Sequence, residues 1–88
     1  MPYLQKLSHK HAMGCIRRYF RVPREEIGYL RFLVEAYEGL AQITAAPGRA
    51  EVEWIIPEEL AEQADELCRV LAKEIGMVPI PRPSDWPL

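Results

Sequence analysis

The residues best suited to metal binding or catalysis are few in this 88-residue chain. His9, His11 and Cys15 are residue types that bind zinc, but a structural zinc site takes four ligands and no second cluster completes this set. A base-activated nucleophile needs its base within hydrogen-bond reach, and residues 15–80 contain no His, Ser or Asn. The sequence therefore predicts no metal site, no cofactor and no catalytic centre.

Three pairs of glutamates stand close enough in the sequence to suggest general acid–base chemistry, which needs one carboxyl of raised pKa in a pocket. The pairs are Glu35 with Glu38, Glu51 with Glu53, and Glu58 with Glu59. Arginines of the first predicted strand face the second pair, and the third pair stands at the start of a predicted helix, where acidic side chains are favourable. In the first pair, Glu35 stands four residues after Arg31, a spacing at which the two side chains can form an ion pair on a helix. We interpret all three pairs as structural.

The secondary structure is predicted from periodicity and from the positions of Pro and Gly. Residues 15–22, 40–46 and 50–56 have the period-two pattern and composition of strands. Helices are predicted over residues 23–38 and 57–75, each beginning at a proline and ending before a glycine. Residues 77–80 can add a short edge strand, and Ala46-Pro47-Gly48-Arg49 is typical of a type II turn.

This element order predicts an α+β fold, a ferredoxin-like two-layer sandwich with both helices on one face of an antiparallel sheet. The first and third strands are central neighbours in this topology, which sets Arg17 and Arg21 against Glu51 and Glu53 on the open face. Arg18 falls on the apolar face of its strand, so we expect it at a rim. We predict one domain at residues 15–80, after an N-terminal arm (residues 1–14) and before a proline-rich tail (residues 81–88) without regular structure.

The first predicted helix has the most informative surface. Apolar side chains cover well over half of its circumference, more than a helix can bury beside one other helix on a sheet. Tyr29, Phe32 and Ala36 must therefore be covered by the N-terminal arm, by the tail with Trp86 and Leu88, or by a partner chain. Since an exposed apolar patch is typical of a binding surface, these three residues form a candidate interface.

The charge distribution is uneven, because the first 24 residues hold six basic side chains and no acidic one. A basic arm can bind nucleic acid or an anionic surface, but three of these arginines fall on the predicted first strand. Glu51 and Glu53 would repel phosphate from the open face, where RNA-recognition modules place stacking aromatics. We therefore predict no nucleic-acid binding.

The cysteines and the hydropathy pattern bear on the compartment. There is no run of 18 apolar residues and no secretory h-region, and two cysteines are too few for a disulfide framework. Cys15 and Cys68 are predicted to lie on opposite sides of the sheet, too far apart to bond, with Cys68 a packed, inert thiol. We predict a cytoplasmic protein that does not bind membranes.

Residues 29–41, YLRFLVEAYEGLA, follow a short basic strand and resemble a bacterial family known only as a domain of unknown function, number 4911. The resemblance covers roughly residues 16–76 and implies no chemistry. More distantly, the layout is similar to ACT-type regulatory domains, which bind amino acids and pair through their sheets. That resemblance implies an alternative function, the binding of an amino acid or small anion, with Arg21 and Arg24 at the strand–helix junction beside helix-terminal amides. The leading hypothesis is a small non-catalytic interaction or regulatory module that forms a homodimer or binds a protein partner.

Overall fold

A computed structural model describes residues 14–87 of the chain. The strands are β1 (Cys15–Arg21), β2 (Gln42–Ala45), β3 (Glu51–Pro57) and β4 (Val78–Ile80), and the helices are α1 (Ile27–Glu35) and α2 (Ala61–Glu74). The strands form one antiparallel sheet in the order β2-β3-β1-β4. The predicted α+β, ferredoxin-like architecture is confirmed, including the short last strand and the central pairing of β1 with β3.

The core lies between the helices and one face of the sheet because the strands alternate in period two. Phe20 and Val22 project from the β1 segment, and Val52, Trp54 and Ile56 project from β3, all into one buried cluster. Trp54 is fully buried and packs edge-to-face against Phe20, with ring centroids 5.7 Å apart.

The two helices begin in the same way. A proline (Pro23 or Pro57) in an extended conformation precedes one 3-10 turn, Arg24–Glu26 or Glu58–Leu60, and the α-helix follows directly. The fixed φ of proline and its missing N–H suit this position. α1 buries Leu30 and Val34, and α2 buries its own apolar stripe. The buried members of that stripe are Ala64, Cys68 and Leu71.

The end of α1 differs from the prediction, because the helix stops at Glu35 and not at Glu38. The amides of Ala36 and Tyr37 bond to carbonyls three residues back, at 3.1 and 3.0 Å, so the chain tightens out of the α conformation. This tighter path turns Leu40 into the core, where it is buried. Leu40 therefore precedes β2 instead of beginning it. α2 ends at Glu74, and Gly76 follows with a φ of 75°, as its predicted capping role requires.

The rim position predicted for Arg18 is confirmed. Its guanidinium Nε lies 3.3 Å from Asp65 Oδ1 of α2, and both side chains are partly exposed. In the part of the chain that the structure describes, no helix is long and apolar enough to cross a membrane.

Candidate interaction surfaces

The candidate interface predicted on the first helix is exposed. Tyr29, Phe32 and Ala36 are spaced three and four residues apart, so they share one side of α1 and its C-terminal cap. Tyr29 is 45% exposed and Phe32 is 72% exposed, while Leu30 and Val34 point into the core. No described residue covers Phe32. We call these three residues the helix surface.

A groove of about 490 Å³ lies between the end of α1 and α2. It is lined by Tyr37, Leu40, Gln63, Glu66, Leu67 and Val70. Most of this lining is apolar, and both Tyr37 and Val70 are nearly half exposed. Tyr37 directly follows Ala36, so the groove begins where the helix surface ends.

The tail does not cover the helix surface, so one of the three predicted covers is wrong for the described residues. Residues 81–87, here called the C-terminal segment, lie on the opposite, open face of the sheet, where Trp86 is 7% exposed and packs with Tyr19 and Ala46. The physical reason is that Trp86 finds an aromatic partner there: its ring meets Tyr19 edge-to-face, with centroids 5.4 Å apart. Leu88 and the N-terminal arm, including His9 and His11, lie outside the described residues.

The open face also carries a buried carboxylate. Glu53 is 1% exposed, and its Oε2 accepts a hydrogen bond of 2.6 Å from Tyr19 Oη and one of 3.1 Å from Arg17 Nη1. Arg82 Nη1 of the C-terminal segment donates to Tyr19 Oη at 2.7 Å. Arg17, Tyr19, Glu53 and Arg82 form what we call the sheet-face network.

The predicted cross-strand charge pairs are partly confirmed. Arg17 pairs with Glu53, although its direct register partner is Ile55. Arg21 stands opposite Glu51, but Glu51 accepts its hydrogen bonds from Arg49 instead, one of them 2.8 Å from Arg49 Nε. Arg49 is closer along the chain, two residues before Glu51 in the turn between β2 and β3. It also bonds Asp85 of the C-terminal segment at 3.2 Å.

The two arginines proposed for an anionic ligand stand at the predicted junction. Arg21 ends β1 and Arg24 begins the 3-10 turn before α1, and both are exposed. Neither lines the groove beside α2 or the two smaller cavities of about 310 and 220 Å³ near β2. The structure therefore places both arginines on the surface, outside these three cavities.

Burial raises the pKa of two side chains, Tyr19 and Cys68. Burial, followed by the hydrogen bond to Glu53, raises the pKa of Tyr19 above its usual value. Burial also raises the pKa of Cys68 to about 12, so that its thiol stays protonated. Cys15 is exposed on the open face and Cys68 is buried on the helix side, both as free thiols, which confirms their predicted facing. Among residues 14–87, no three His, Cys, Asp or Glu side chains are grouped to hold a metal ion.

A family model described as a domain of unknown function (DUF4911) matches residues 20–75 of the chain. The chain belongs to this family. The match confirms the resemblance seen in residues 29–41, and it includes the whole helix surface but not the C-terminal segment. No curated protein and no solved structure gives a significant match to the chain.

Proposed function

We propose that this DUF4911 domain is a non-catalytic interaction module whose helix surface binds a second copy of the chain. The observation that carries the proposal is the 72% exposure of Phe32 beside the half-exposed Tyr29. Exposing an aromatic side chain to water is unfavourable. Aromatic residues are enriched at protein interfaces, where they supply much of the binding energy. A domain of this size is only marginally stable. Burying the helix surface in a dimer would therefore increase the stability of the folded chain.

The pairing of a protruding side chain with a neighbouring groove favours a symmetric dimer. In a two-fold interface the same patch occurs on both subunits, so a knob on one must meet a groove on the other. Here Phe32 of α1 is the knob. The apolar walls of the groove are formed by Leu67 and Val70 of the other helix, α2. The exposed charges Arg31 and Glu35 flank the helix surface, as in the polar rim of known interfaces.

The chemistry of the described side chains supports a role without catalysis. Cys68 has a pKa of about 12 and is buried, so the reactive thiolate is not formed near neutral pH. Glu53 is 1% exposed, and its Oε2 is already bonded to Tyr19 and Arg17, so the carboxylate is engaged in structural contacts. The free thiols suit a reducing compartment, and we propose the cytoplasm.

Size-exclusion chromatography with light scattering tests the dimer. We expect the wild-type chain to have the mass of a dimer and Phe32→Glu to have the mass of a monomer, because a charge cannot be left unpaired in a dry interface. Val78→Glu is the matched control, since Val78 is also an exposed apolar residue but lies on β4. A wild-type monomer, or equal masses for the wild-type chain and Phe32→Glu, would refute the proposal.

The ACT-like alternative has less support, because neither Arg21 nor Arg24 lines the groove beside α2 or the two smaller cavities near β2. Titration calorimetry against amino acids and small carboxylic acids distinguishes the two functions. Saturable binding that is lost in Arg24→Ala would establish the alternative, and an interaction module of the kind proposed gives no such signal.

A further inference from the structure

The C-terminal segment is attached to the open face of the sheet by its side chains. Trp86 packs on Tyr19 and Ala46, Arg82 bonds the Tyr19 hydroxyl, and Asp85 bonds Arg49. The backbone hydrogen bond described within the segment is internal, from Trp86 N to Pro83 O at 3.1 Å. Three of the seven residues are prolines, which have no N–H to offer a strand. The segment is therefore held as a bound peptide is held, by contacts of particular side chains.

The contacts of the segment are separate from the main core. Trp86, Tyr19 and Ala46 form their own buried cluster with Ile80 against it, and no residue of the segment belongs to the cluster between sheet and helices. The main core would consequently keep its packing if the segment left.

Two features reduce the stabilisation that the segment gains from its contacts. The indole Nε1 of Trp86 is buried without a hydrogen-bond partner among the described residues, and an unmet buried donor is unfavourable. Asp85 is 76% exposed, so its bond to Arg49 is weakened by water. These features favour a segment that can be released and rebound.

We propose that the open sheet face is a peptide-binding site whose ligand is the C-terminal segment, and that a second copy of the chain can supply this segment. The site recognises an Arg by the Tyr19 hydroxyl, a Trp by Tyr19 and Ala46, and an Asp by Arg49. The guanidinium of Arg49 also lies 5.9 Å from the centre of the Trp86 ring, close enough for a cation–π contact. This site lies on the face opposite the helix surface, so it stands independently of the function proposed above.

A free peptide must compete with the chain's own C-terminal segment for the open face, and the experiment has to remove this competition. A ligand tethered by a short linker has an effective concentration on the order of 1 mM, so the chain's own segment excludes a free peptide from the wild-type site. Trp86→Ala in the full chain removes the anchor of the resident segment and leaves Tyr19, Glu53 and Arg49 in place.

The experiment is fluorescence anisotropy of a labelled peptide with the sequence of residues 81–88, titrated with the full-length Trp86→Ala chain. We expect saturable binding that is at least about tenfold tighter than to the wild-type chain, weaker binding of the peptide that carries Arg82→Ala, and none of the peptide that carries Trp86→Ala. Absence of binding to a cooperatively folded Trp86→Ala chain would overturn the proposal. So would equal binding of all three peptides, or a Trp86→Ala chain that is unfolded where the wild-type chain is folded, since the segment would then be part of the core.

Discussion

Glu53 shows how one buried charge is accommodated on a sheet face. A buried carboxylate is strongly unfavourable unless it is paired and hydrogen-bonded, and Glu53 has a cationic donor in Arg17 and a short bond from the Tyr19 hydroxyl. The same hydroxyl accepts a bond from Arg82, so a positive charge polarises the donor of that short bond. Tyr19 therefore links the buried carboxylate of Glu53 to Arg82 of the C-terminal segment.

Tyr19→Phe should destabilise the fold. The substitution keeps the ring that packs on Trp86 but leaves Glu53 with Arg17 alone and Arg82 without its acceptor, and a buried polar group without a partner costs about 1–3 kcal/mol. Denaturant unfolding measures this loss. Tyr29→Phe is the control, because Tyr29 is half exposed on the helix surface, and we expect a change within about 0.5 kcal/mol. Equal stability of the Tyr19→Phe and Tyr29→Phe chains would contradict the role given to the Tyr19 hydroxyl.

The same hydroxyl should make the wild-type chain sensitive to alkaline pH. Burial and the bond to Glu53 raise the pKa of Tyr19 in the folded state above its value of about 10 in an unfolded chain. A raised folded pKa means that the stabilisation is complete below the unfolded pKa and is lost as the pH rises through the folded pKa. The free energy of unfolding should therefore decrease above about pH 10 more steeply in the wild-type chain than in Tyr19→Phe.

The two cysteines should differ in reactivity towards thiol reagents. Cys15 is exposed, whereas Cys68 is buried with a pKa of about 12, and the thiolate is the reacting form. In the native chain near neutral pH we expect one rapidly modified thiol, Cys15, and a second only after unfolding in denaturant. Cys15→Ala, the control, should have no rapidly reacting thiol. Fast modification of Cys68 in that variant would show that the helix side of the sheet opens readily.

At the scale of elements, the sequence predicts what depends on local pattern and misses what depends on distant contacts. Period-two alternation located the central strands, and the open-face charges indicated their pairing, which Arg17 and Glu53 confirm. The end of α1 depends on Leu40 turning into the core, a tertiary demand that helix propensity does not contain. The position of Trp86 on the open face depends on its contact with Tyr19, which lies 67 residues earlier in the chain. A lone Trp among prolines, facing a sheet side rich in charge, was the available signal for that contact.

Gly48, in the turn between β2 and β3, and Gly28, in α1, should respond in opposite directions when each is replaced by Ala. Gly48 has a φ of 70°, and Gly28 lies in α1 with ordinary helical φ; a Cβ meets no atom within 4 Å at either position. Gly48→Ala should therefore destabilise the fold by about 1–2 kcal/mol through backbone strain alone. Gly28→Ala should stabilise it by about 0.5–1 kcal/mol, because Ala has the higher helix propensity. Thermal unfolding of both variants checks the signs, and a stabilising Gly48→Ala would contradict the turn geometry.

On the scale of the whole molecule, the two candidate surfaces lie on opposite faces of one sheet and differ in how they are covered. The family match spans the helix surface but not the C-terminal segment. The helix surface is uncovered by the described residues, and the open face is covered by the chain itself. Because the covering segment contributes to a cluster of its own, the molecule should open in two steps, with the segment leaving before the core unfolds.

Native-state hydrogen exchange can resolve these two steps at single amides. The amide of Trp86 bonds to Pro83 inside the segment, and the amide of Val22 bonds to Ala50 at 2.8 Å beside the main core. We expect Trp86 to exchange through a local opening that small amounts of denaturant hardly change, because little surface is exposed when the segment leaves. Val22 should exchange with the global free energy of unfolding and respond strongly to denaturant. In the Trp86→Ala chain, the amide at position 86 should lose its protection while that of Val22 remains far above it. Equal free energies of exchange for Trp86 and Val22 in the wild-type chain would mean that the segment and the core unfold as one unit, and that the open face is never free to bind a peptide while the domain is folded.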